Sequence, residues 1–407
     1  MHNKYFDVII SGAGPAGCAA ALSLKESGLS VALFDKAAFP RDKICGDALS
    51  VDVINQLSRL SESLSSNFHS LTPKTASHGV KIFSPDGGSV NIPFVHDDVR
   101  KHGYICTRKV FDNFLVDEIR KLQSVTLIEN GEIIDTVVTG EDIRVITLNG
   151  TYVAKLLIGA EGAQSVTAKK LMSNKIDRRH YSAGLRCYYG GVKGFHADHY
   201  IELYFFKDIL PGYLWVFPLP DDQANVGIGM LSSEVASRKV NLQQTLHRLL
   251  ATHPLLKDRF RNAHALETVK GFGLPLGSVK KKISGNRLLL TGDSASLIDP
   301  FTGEGIANAI RSGRVAGSHA IDCFRSNQFS ASFNAAYDRE IYARMQQEFV
   351  ISSTLQKLCR YPRLFNTIVR KANRSKFIHQ ALIDAMAHVD HKKYLLSPSF
   401  YYYLLFS

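Results

Sequence analysis

Short apolar runs, a glycine-rich turn and a helical stretch follow one another at the start of the chain. Tyr5–Ser11 predicts a buried strand, Cys18–Ser27 has the composition of a helix, and Ser30–Phe34 predicts a second strand. Gly28 is well placed to end the helix. Strands that alternate with helices are typical of a parallel sheet covered by helices.

A different pattern occupies the middle of the chain, where alternating positions along Tyr200–Phe206 and Tyr213–Pro218 predict strands of a mostly antiparallel sheet. The fold class is therefore α/β: a discontinuous Rossmann-type domain, an inserted sheet and a helical C-terminal region. We expect the Rossmann-type domain to comprise residues 1–75, 100–175 and 265–335, the inserted sheet residues 76–99 and 176–264, and the helical region residues 336–407.

The turn between the first strand and helix reads Gly12-Ala13-Gly14-Pro15-Ala16-Gly17, and the second strand ends on Asp35. In a G-x-G-x-x-G turn, the first glycine permits a tight bend and the second lets the backbone approach a pyrophosphate. The third glycine allows the helix to pack closely on the strand. The helix N-terminus attracts phosphate, and an acid at the position of Asp35 accepts from a ribose hydroxyl. The sequence thus predicts a dinucleotide site.

Two later motifs identify the dinucleotide. The strand Arg287–Leu290 leads to Gly292-Asp293 and then to Pro300-Phe301-Thr302-Gly303-Glu304-Gly305-Ile306, before a long helix from Ala307. Arg108–Leu115 reads R-x-x-F-D-x-x-L. Together with the first turn, these motifs resemble the FAD site of the flavoprotein hydroxylase superfamily. The resemblance implies that Asp293 holds the ribityl chain, that Arg108 contacts the cofactor, and that Gly303, Gly305 and Ile306 lie at the isoalloxazine.

One stretch departs from the hydroxylase pattern. Residues 159–162 read Gly-Ala-Glu-Gly, where hydroxylases have Gly-Ala-Asp-Gly, a stretch linked to both FAD and NADPH. The longer Glu161 puts direct use of NADPH in doubt, and the chain has no second dinucleotide motif. The electron donor is therefore left open between NADPH and a reduced carrier protein.

Further motifs narrow the resemblance to one family. They are P-R-x-K-x-C-G-D at residues 40–47, P-G-Y-x-W-x-F-P at 211–218, N-V-G-x-G at 225–229 and P-F-T-G-E-G-I at 300–306. This set, in order from Asp7 to about Gly317, is similar to the geranylgeranyl reductases, FAD enzymes that saturate isoprenoid double bonds. The cofactor-binding residues predicted from the motifs are Gly12, Gly14, Ala16, Gly17, Asp35, Lys36, Cys45, Gly46, Arg108, Gly292, Asp293, Gly303, Gly305 and Ile306.

The aromatic motif predicts a substrate face. Tyr213, Trp215 and Phe217 point to one side of a strand, and Gly227 shares a face with other small residues on the next strand. Aromatic rings opposite small residues suit a long apolar ligand, although aromatic residues with period two also form ordinary sheet cores. We predict that these four residues bind the substrate.

Reduction of an isolated alkene needs a proton source as well as hydride from the flavin. Among the motif residues, Cys45, Asp47 and Tyr213 are the candidates, and the sequence does not choose between them. The resemblance places Cys45 near the reactive face of the flavin.

Two alternative functions remain open. Flavin-dependent halogenases and aromatic monooxygenases have the same fold, but halogenases carry W-x-W-x-I-P where this chain reads Tyr213-Leu214-Trp215-Val216-Phe217-Pro218. A flavin-bound lipid-binding protein without catalytic turnover is the second alternative. Oxygen-dependent product formation would indicate the first, and tight lipid binding without turnover the second.

Composition limits the partners. The 407 residues carry a net charge of +12, and residues 351–407 hold nine Lys/Arg against Asp384 and Asp390. This basic end and the apolar run Tyr401–Phe406 predict contact with an anionic membrane surface or an acidic electron carrier. The alternative is that the tail folds back onto the core.

Other classes are disfavoured. No nucleic-acid-binding motif accompanies the basic residues, so nucleic acid is not expected. The six scattered cysteines predict neither a disulfide framework nor a metal site. No apolar run is long enough to span a membrane. The scattered cysteines suit a reduced interior and the N-terminus does not resemble a secretion signal, so we expect a cytoplasmic protein, with peripheral contact to the inner membrane surface as one of the two alternatives for the tail.

Overall fold

The computed structural model describes residues 4–96, 99–172, 175–387 and 392–406. In chain order, the strands are β1 (Lys4–Ser11), β2 (Val31–Phe34), β3 (Ala48–Leu49), β4 (Thr75–Ser77), β5 (Gly79–Phe83), β6 (Ser89–Pro93), β7 (Val95–His96), β8 (Val99–Arg100), β9 (Gly103–Ile105), β10 (Val125–Ile128), β11 (Ile133–Val138), β12 (Ile143–Thr147), β13 (Gly150–Gly159), β14 (Tyr181–Gly190), β15 (Ile201–Tyr204), β16 (Tyr213–Leu219), β17 (Gln223–Leu231), β18 (His264–Ala265), β19 (Lys270–Pro275), β20 (Ser284–Gly285) and β21 (Leu288–Leu290).

The helices, again in chain order, are α1 (Pro15–Ser23), α2 (Val51–Leu60), α3 (Glu62–Ser70), α4 (Arg108–Arg120), α5 (Val166–Met172), α6 (Ser232–Ser237), α7 (Leu242–Thr252), α8 (Ile306–Arg325), α9 (Ala331–Leu358), α10 (Pro362–Ala372), α11 (Lys376–Ala387) and α12 (Pro398–Phe406). Short 3₁₀ turns cover Gly162–Gln164, Arg178–His180, Lys207–Ile209, Gly292–Ala295 and Lys393–Leu396.

The first sheet has a parallel centre in the order β10-β2-β1-β13-β21. Strand β13 also pairs antiparallel with β12, which continues to β11. All four residues of β2 are buried, as expected for a parallel strand covered on both faces. The glycine turn and Asp35 follow the carboxyl ends of β1 and β2, where open α/β sheets bind their ligands.

The second sheet runs in the order β18-β14-β17-β16-β15-β5-β6, with β19 also paired to β14. Its pairs are antiparallel except β15 with β5. Leu214 and Val216 of β16 belong to the same apolar cluster as Leu246 of α7. The intervening Trp215 and Phe217 cluster with Ile105 of β9. Alternate residues of β16 therefore pack in the helix-covered core and on the opposite face of the sheet.

The fold class is confirmed, but one predicted boundary is wrong. Residues 264–265 and 270–275 pair with β14 in the second sheet, so that sheet continues beyond the expected limit at residue 264. The sequence analysis did not predict this strand, because residues 265–286 contain none of the motifs on which the domain limits were based. The other domain limits remain predictions.

The C-terminal helices cover the β5–β6 end of the second sheet. Val369, Ile378 and Phe400 form one apolar cluster with Val80 and Ile92. Phe400 is buried, whereas the nearby Tyr402 and Tyr403 are largely exposed. The side chains of Tyr401 and of residues 404–406, which belong to the predicted apolar tail, lie outside the described residues. Within the described part of the chain, no helix is both long and apolar enough to cross a membrane.

Candidate functional site

The glycine turn after β1 forms an open cradle at the start of α1. A Cβ atom added to Gly14 would meet only the guanidinium ends of Arg41, at 3.7 Å, and Arg108, at 4.0 Å. The free N–H groups of the α1 N-terminus and two arginines thus surround one backbone position. This arrangement fits the pyrophosphate of a dinucleotide such as FAD.

Close backbone contacts hold the cradle in shape. Gly12 has φ = +103°, and a Cβ there would overlap with the carbonyl of Ala160 at the end of β13. Gly17 allows α1 to lie directly on the backbone of Gly12. Ala16 is buried and lies against Gly292 and Gly313, so that α1 and α8 cross at backbone distance.

A buried charge network supports the arginines. Asp112 is fully buried and accepts from Arg108 Nε at 2.6 Å, from Arg108 Nη2 at 2.7 Å and from Arg41 Nη1 at 2.9 Å. Burial alone would raise the pKa of Asp112, but Arg108 and Arg41 outweigh burial and hold that pKa below its usual value. Asp112 thus keeps both guanidinium groups next to Gly14.

Asp35 lies at the predicted ribose position, but its carboxylate also accepts hydrogen bonds from the backbone of the glycine turn. It accepts from the backbone N–H groups of Ala13 and Ala37, each at 3.0 Å, and Arg41 Nη2 is 3.4 Å away. Lys36, next in sequence, is exposed. We retain contact of Asp35 and Lys36 with the nucleotide as a proposal.

The second half of the cradle comes from the loop before α8. Asp293 follows Gly292 and lies 3.5 Å from Lys43 Nζ. A Cβ on Gly305 would be 3.4 Å from Asp293 Oδ1, so the predicted ribityl and isoalloxazine contacts are neighbours. Gly305 caps α8 and Ile306 begins it, which places a second helix N-terminus at the site.

Residues 299–305 form a tightly bonded turn. Asp299 accepts from the N–H groups of Phe301, at 2.9 Å, and Thr302, at 2.8 Å. Ser352 of α9 donates to the other Asp299 oxygen at 2.6 Å. The hydroxyl of Tyr213 donates to the carbonyl of Thr302, and a Cβ on Gly303 would be 3.0 Å from that hydroxyl. The turn is therefore fixed from the second sheet and from α9.

Glu304 adds an ionisable group to this turn. Its carboxylate accepts from the hydroxyl of Ser50, which also caps α2. Burial, followed by the charge of Asp52, raises the pKa of Glu304 to about 7. A carboxyl group that changes charge near neutral pH therefore lies between two predicted cofactor motifs.

Residues 39–49, which we call the Cys45 loop, lie between the cradle and the second sheet. A Cβ on Gly46 would be 3.0 Å from the ring of Phe217 and 3.6 Å from Trp215 Nε1. At its C-terminal end, Asp47 Oδ1 accepts from the backbone N–H of Arg108 at 3.3 Å, and Arg41 near its start donates to Asp112 at 2.9 Å. One loop therefore contacts both the predicted cofactor residues and the aromatic face.

The aromatic face is closely packed. Tyr213, Trp215 and Phe217 are paired across β16 and β17 with Gly229, Gly227 and Asn225, respectively. The indole of Trp215 lies directly on Gly227, where a Cβ would overlap with the ring. Trp215 and Phe217 are only 5% and 7% exposed, so much of their surface is occupied by protein.

The three proton-source candidates occupy different surroundings. Cys45 is partly exposed. The hydroxyl of Tyr213 is held by Thr302, and burial raises the pKa of this tyrosine. Asp47 is fully buried, with φ = +65°, and burial raises its pKa to about 6. The structure brings the candidates to one region, but Asp47 is enclosed by protein donors.

Glu161 has a role inside the protein. Its carboxylate accepts from Ser11 Oγ at 2.8 Å, from Thr167 N and Thr167 Oγ1 at 3.1 Å each, and from the hydroxyl of Ser165. Four donors occupy its two oxygens and tie β1 to the start of α5. This geometry explains why a glutamate suits the position.

Sequence reasoning missed several polar residues of this region, namely Arg41, Asp112, Tyr188, Asn225 and Glu304. Arg41, Asp112, Asn225 and Glu304 stand inside quoted motifs, but a motif does not say which side chains pair. Tyr188 had no signal beyond its place on a strand. Among the described residues, no group of three or more His, Cys, Asp or Glu side chains could hold a metal ion.

Comparison with known proteins agrees with this geometry. Residues 7–41 match a family model described as an FAD binding domain, and residues 184–272 match the geranylgeranyl reductase catalytic domain. The chain is 30% identical to digeranylgeranylglycerophospholipid reductase of Methanocella arvoryzae, over 84% of this chain and 83% of the relative. It is 28% identical to menaquinone reductase of Mycobacterium tuberculosis, over 94% and 91%, respectively.

Solved structures show the same fold. A geranylgeranyl bacteriochlorophyll reductase-like protein from Thermoplasma acidophilum superposes with a TM-score of 0.79 at 24% identity, covering 90% of this chain and 92% of that one. Flavin-dependent halogenases are also similar in structure, at 17–21% identity, a likeness that shows the fold alone. The chain therefore belongs to the geranylgeranyl reductase family and is an FAD-dependent oxidoreductase.

Proposed function

We propose that this enzyme reduces carbon–carbon double bonds in the isoprenoid chain of a lipid or quinone. The observation that carries the proposal is the position of the Cys45 loop, which contacts Arg108 at the cofactor cradle through Asp47 and the aromatic face through Gly46. The relatives named above act, by their names, on a digeranylgeranyl phospholipid and on menaquinone. The substrate class is transferred from them as part of this proposal.

When bound, reduced FAD supplies hydride to one alkene carbon, and the protein has to deliver a proton to the other. Tyr213, Trp215 and Phe217 are proposed to hold the apolar chain and exclude water. Cys45 and Tyr213 are the proposed proton donors, because Cys45 is partly exposed and Tyr213 is bonded to the turn of residues 299–305, while Asp47 is enclosed. Cys45→Ser and Tyr213→Phe would distinguish the two donors by the loss of turnover at unchanged FAD content.

The test is anaerobic incubation of the reduced holoenzyme with isoprenoid phospholipids and prenylated quinones. We expect a mass gain of two hydrogens for each reduced bond and stoichiometric reoxidation of the flavin. A product that forms only with oxygen, and contains halogen or a new hydroxyl, would replace this proposal with the halogenase or monooxygenase alternative. Tight lipid binding without flavin reoxidation would indicate a lipid-binding protein.

We propose an acidic carrier protein as the electron donor. A cleft beside Asp293 and Ser294 is lined by Lys169, Lys175 and Lys281. Positive charge next to the predicted ribityl contact favours docking of an acidic surface within reach of the cofactor. We expect an acidic iron–sulfur protein to reduce the flavin faster than NADPH, and added salt to slow it.

Stopped-flow flavin reduction tests the donor. Lys169→Gln with Lys175→Gln should slow reduction by the acidic protein, whereas Arg144→Gln with Lys207→Gln, at exposed positions elsewhere, should not. Rapid reduction by NADPH alone, insensitive to these changes, would contradict the proposal.

We also propose peripheral contact of the C-terminal helices with an anionic lipid surface. Phe377, Tyr402 and Tyr403 are 43%, 61% and 44% exposed, and the rings of Phe377 and Tyr403 lie 4.4 Å apart. Arg374 and Lys376 are exposed close by in sequence. Each basic residue near such a surface contributes about 1 kcal/mol to the free energy of membrane binding, and exposed aromatic rings add apolar burial at the interface.

Vesicle co-sedimentation tests the membrane contact at low salt. The protein should bind vesicles that contain phosphatidylserine and should release at high salt. Arg374→Gln with Lys376→Gln should weaken binding, whereas Arg144→Gln with Lys207→Gln should not. Equal binding to neutral and anionic vesicles by all these proteins would exclude electrostatic docking.

A further inference from the structure

Two sets of polar contacts attach the Cys45 loop to the second sheet, one on each side of Cys45. On the N-terminal side, Arg186 Nη2 lies 3.1 and 3.0 Å from the two carboxylate oxygens of Asp42. Arg186 is fully buried and also pairs with Glu267. On the C-terminal side, Asp47 is bonded to the sheet through Tyr188 and Asn225. The loop is therefore fixed at two points.

The Asp47 carboxylate is completely enclosed. Tyr188 Oη donates to it at 2.5 Å, Asn225 Nδ2 at 2.8 Å and the backbone N–H of Arg108 at 3.3 Å. The carbonyl of Asp47 in turn accepts from Cys106 N at 3.0 Å. These donors hold a residue whose left-handed backbone conformation is unfavourable for a side chain with a Cβ.

Asn225 extends the network in two directions. Its Nδ2 also donates to the carbonyl of Cys45 at 2.8 Å, and its Oδ1 accepts from Trp215 Nε1 at 2.9 Å. The amide therefore joins the indole of the aromatic face to the Cys45–Gly46 peptide. Tyr188 has no contact of this kind with Cys45 and acts on the peptide only through Asp47.

We propose that Tyr188, Asn225 and Asp47 are positioning residues. Their hydrogen bonds fix the distance between the Cys45 thiol and the Trp215 indole that the reaction requires. This inference rests on the proposed function for its catalytic meaning. Under this inference, Asp47 acts as a charged hydrogen-bond acceptor that holds the structure, because the groups that surround its carboxylate are donors of the protein itself. Arg186 supports the same contact by lying over the ring of Tyr188, with its guanidinium carbon 4.1 Å from the ring centroid.

The chain provides two readouts that need no substrate. All six cysteines lie in the described part of the chain, and five are buried while Cys45 is partly exposed. A thiol reagent therefore reports on Cys45 in the folded protein, with Cys45→Ser as the blank. Trp215 is the only tryptophan, so indole fluorescence reports on the other end of the network.

The experiment compares Tyr188→Phe with Tyr189→Phe in the FAD-loaded protein. The two variants make the same chemical change at adjacent residues, but Tyr189 lies on the opposite face of β14, where its ring packs on Phe260. Loss of the Tyr188 hydrogen bond to a charged group should increase the labelling rate of Cys45 about tenfold. It should also shift Trp215 emission and raise KM for the substrate, with FAD content unchanged. Tyr189→Phe should behave like the wild type.

Asp47→Asn is the second variant, since it keeps the shape of the side chain and removes its charge. It should change Cys45 labelling and Trp215 emission in the same direction as Tyr188→Phe. If both variants match Tyr189→Phe in labelling and emission, the inference is wrong. If labelling and emission change as expected but the wild type reduces no isoprenoid, the proposed function fails and the positioning role stands.

Discussion

The FAD-binding region and the second sheet build their sites from different parts of the polypeptide. The cradle at Gly12 and Gly14 consists mainly of backbone groups from one contiguous turn, which lies against the backbone of Ala160 just after β13 and is flanked by the side chains of Arg41 and Arg108. The aromatic face instead depends on side chains such as Trp215 and Asn225, which meet the Cys45 loop from far along the chain. Gly12 tolerates no added atom because the Ala160 carbonyl lies against it, whereas packed side chains tolerate exchanges that conserve volume. We therefore expect the aromatic face to accept substitutions more readily than the turn at Gly12.

The two regions also differ in the groups that surround their buried carboxylates. In the cradle, Asp112 is matched by two guanidinium groups and its pKa is lowered. At the junction with the second sheet, Asp47 and Glu304 are held mainly by neutral donors and their pKa values are raised. Carboxylates at the junction therefore reduce the free energy of unfolding at neutral pH, whereas Asp112 is stabilised as an anion.

The largest effect is expected in the backbone site. Gly12→Ala combines φ = +103° with overlap against the Ala160 carbonyl, so we expect a loss of about 4 kcal/mol in the free energy of unfolding, and loss of FAD. Denaturant unfolding and the absorbance of bound flavin measure both. Gly140→Ala is the control, because nothing lies within 4 Å of the added Cβ. A yellow Gly12→Ala protein of wild-type stability would show that the turn at Gly12 does accept an added atom.

A smaller effect is expected in the side-chain site. The added methyl of Gly227→Ala would overlap with the Trp215 ring and with the carbonyl oxygen of Leu185, whereas that of Gly229→Ala would lie 3.7 Å from the same ring. We expect Gly227→Ala to lower the free energy of unfolding by about 3 kcal/mol, to shift indole emission and to weaken substrate binding, with FAD retained. Gly229→Ala should be close to wild type in all four measurements. Loss of FAD in Gly227→Ala would show that the two regions are not separable.

The smallest effect concerns the charge of Glu304. Its pKa of about 7 in the folded protein exceeds the ordinary value of 4.5, so the folded state retains a proton that the unfolded state loses. The free energy of unfolding should therefore fall as pH rises from about 4.5 to about 7, by about 2 kcal/mol for this partly buried group. Glu304→Gln should remove that slope.

Chemical denaturation at a series of pH values measures this slope. Glu141→Gln, at an exposed carboxyl in the turn between β11 and β12, is the control and should leave the wild-type profile unchanged. Parallel profiles for Glu304→Gln and the wild type would mean that Glu304 is ionised in the folded protein throughout this range. The contrast in buried charge would then apply to Asp47 alone.

Much of the fold and cofactor site could be predicted because the determining residues are close in sequence. Gly12, Gly14 and Gly17 act on the conformation of their own turn, and Gly305 and Ile306 begin their own helix. The same reasoning failed at residues 264–275, where the pairing of β19 with β14 is decided by the sheet edge available in the folded chain. Alternation along β16 indicated which residues share a face, but both faces of that strand are buried, so pattern alone did not assign them.

The order of the cofactor motifs, the family and the position of the aromatic row follow from the amino-acid sequence alone. Which side chains pair follows only from the fold, because Asp47 bonds to Tyr188 across 141 positions and to Asn225 across 178. Such pairs depend on how the Cys45 loop docks on the second sheet, and no local preference encodes that docking. The physical reason is that backbone conformation is set by neighbours in the chain, whereas the hydrogen bonds of a buried carboxylate are set by whatever the fold brings within 3 Å.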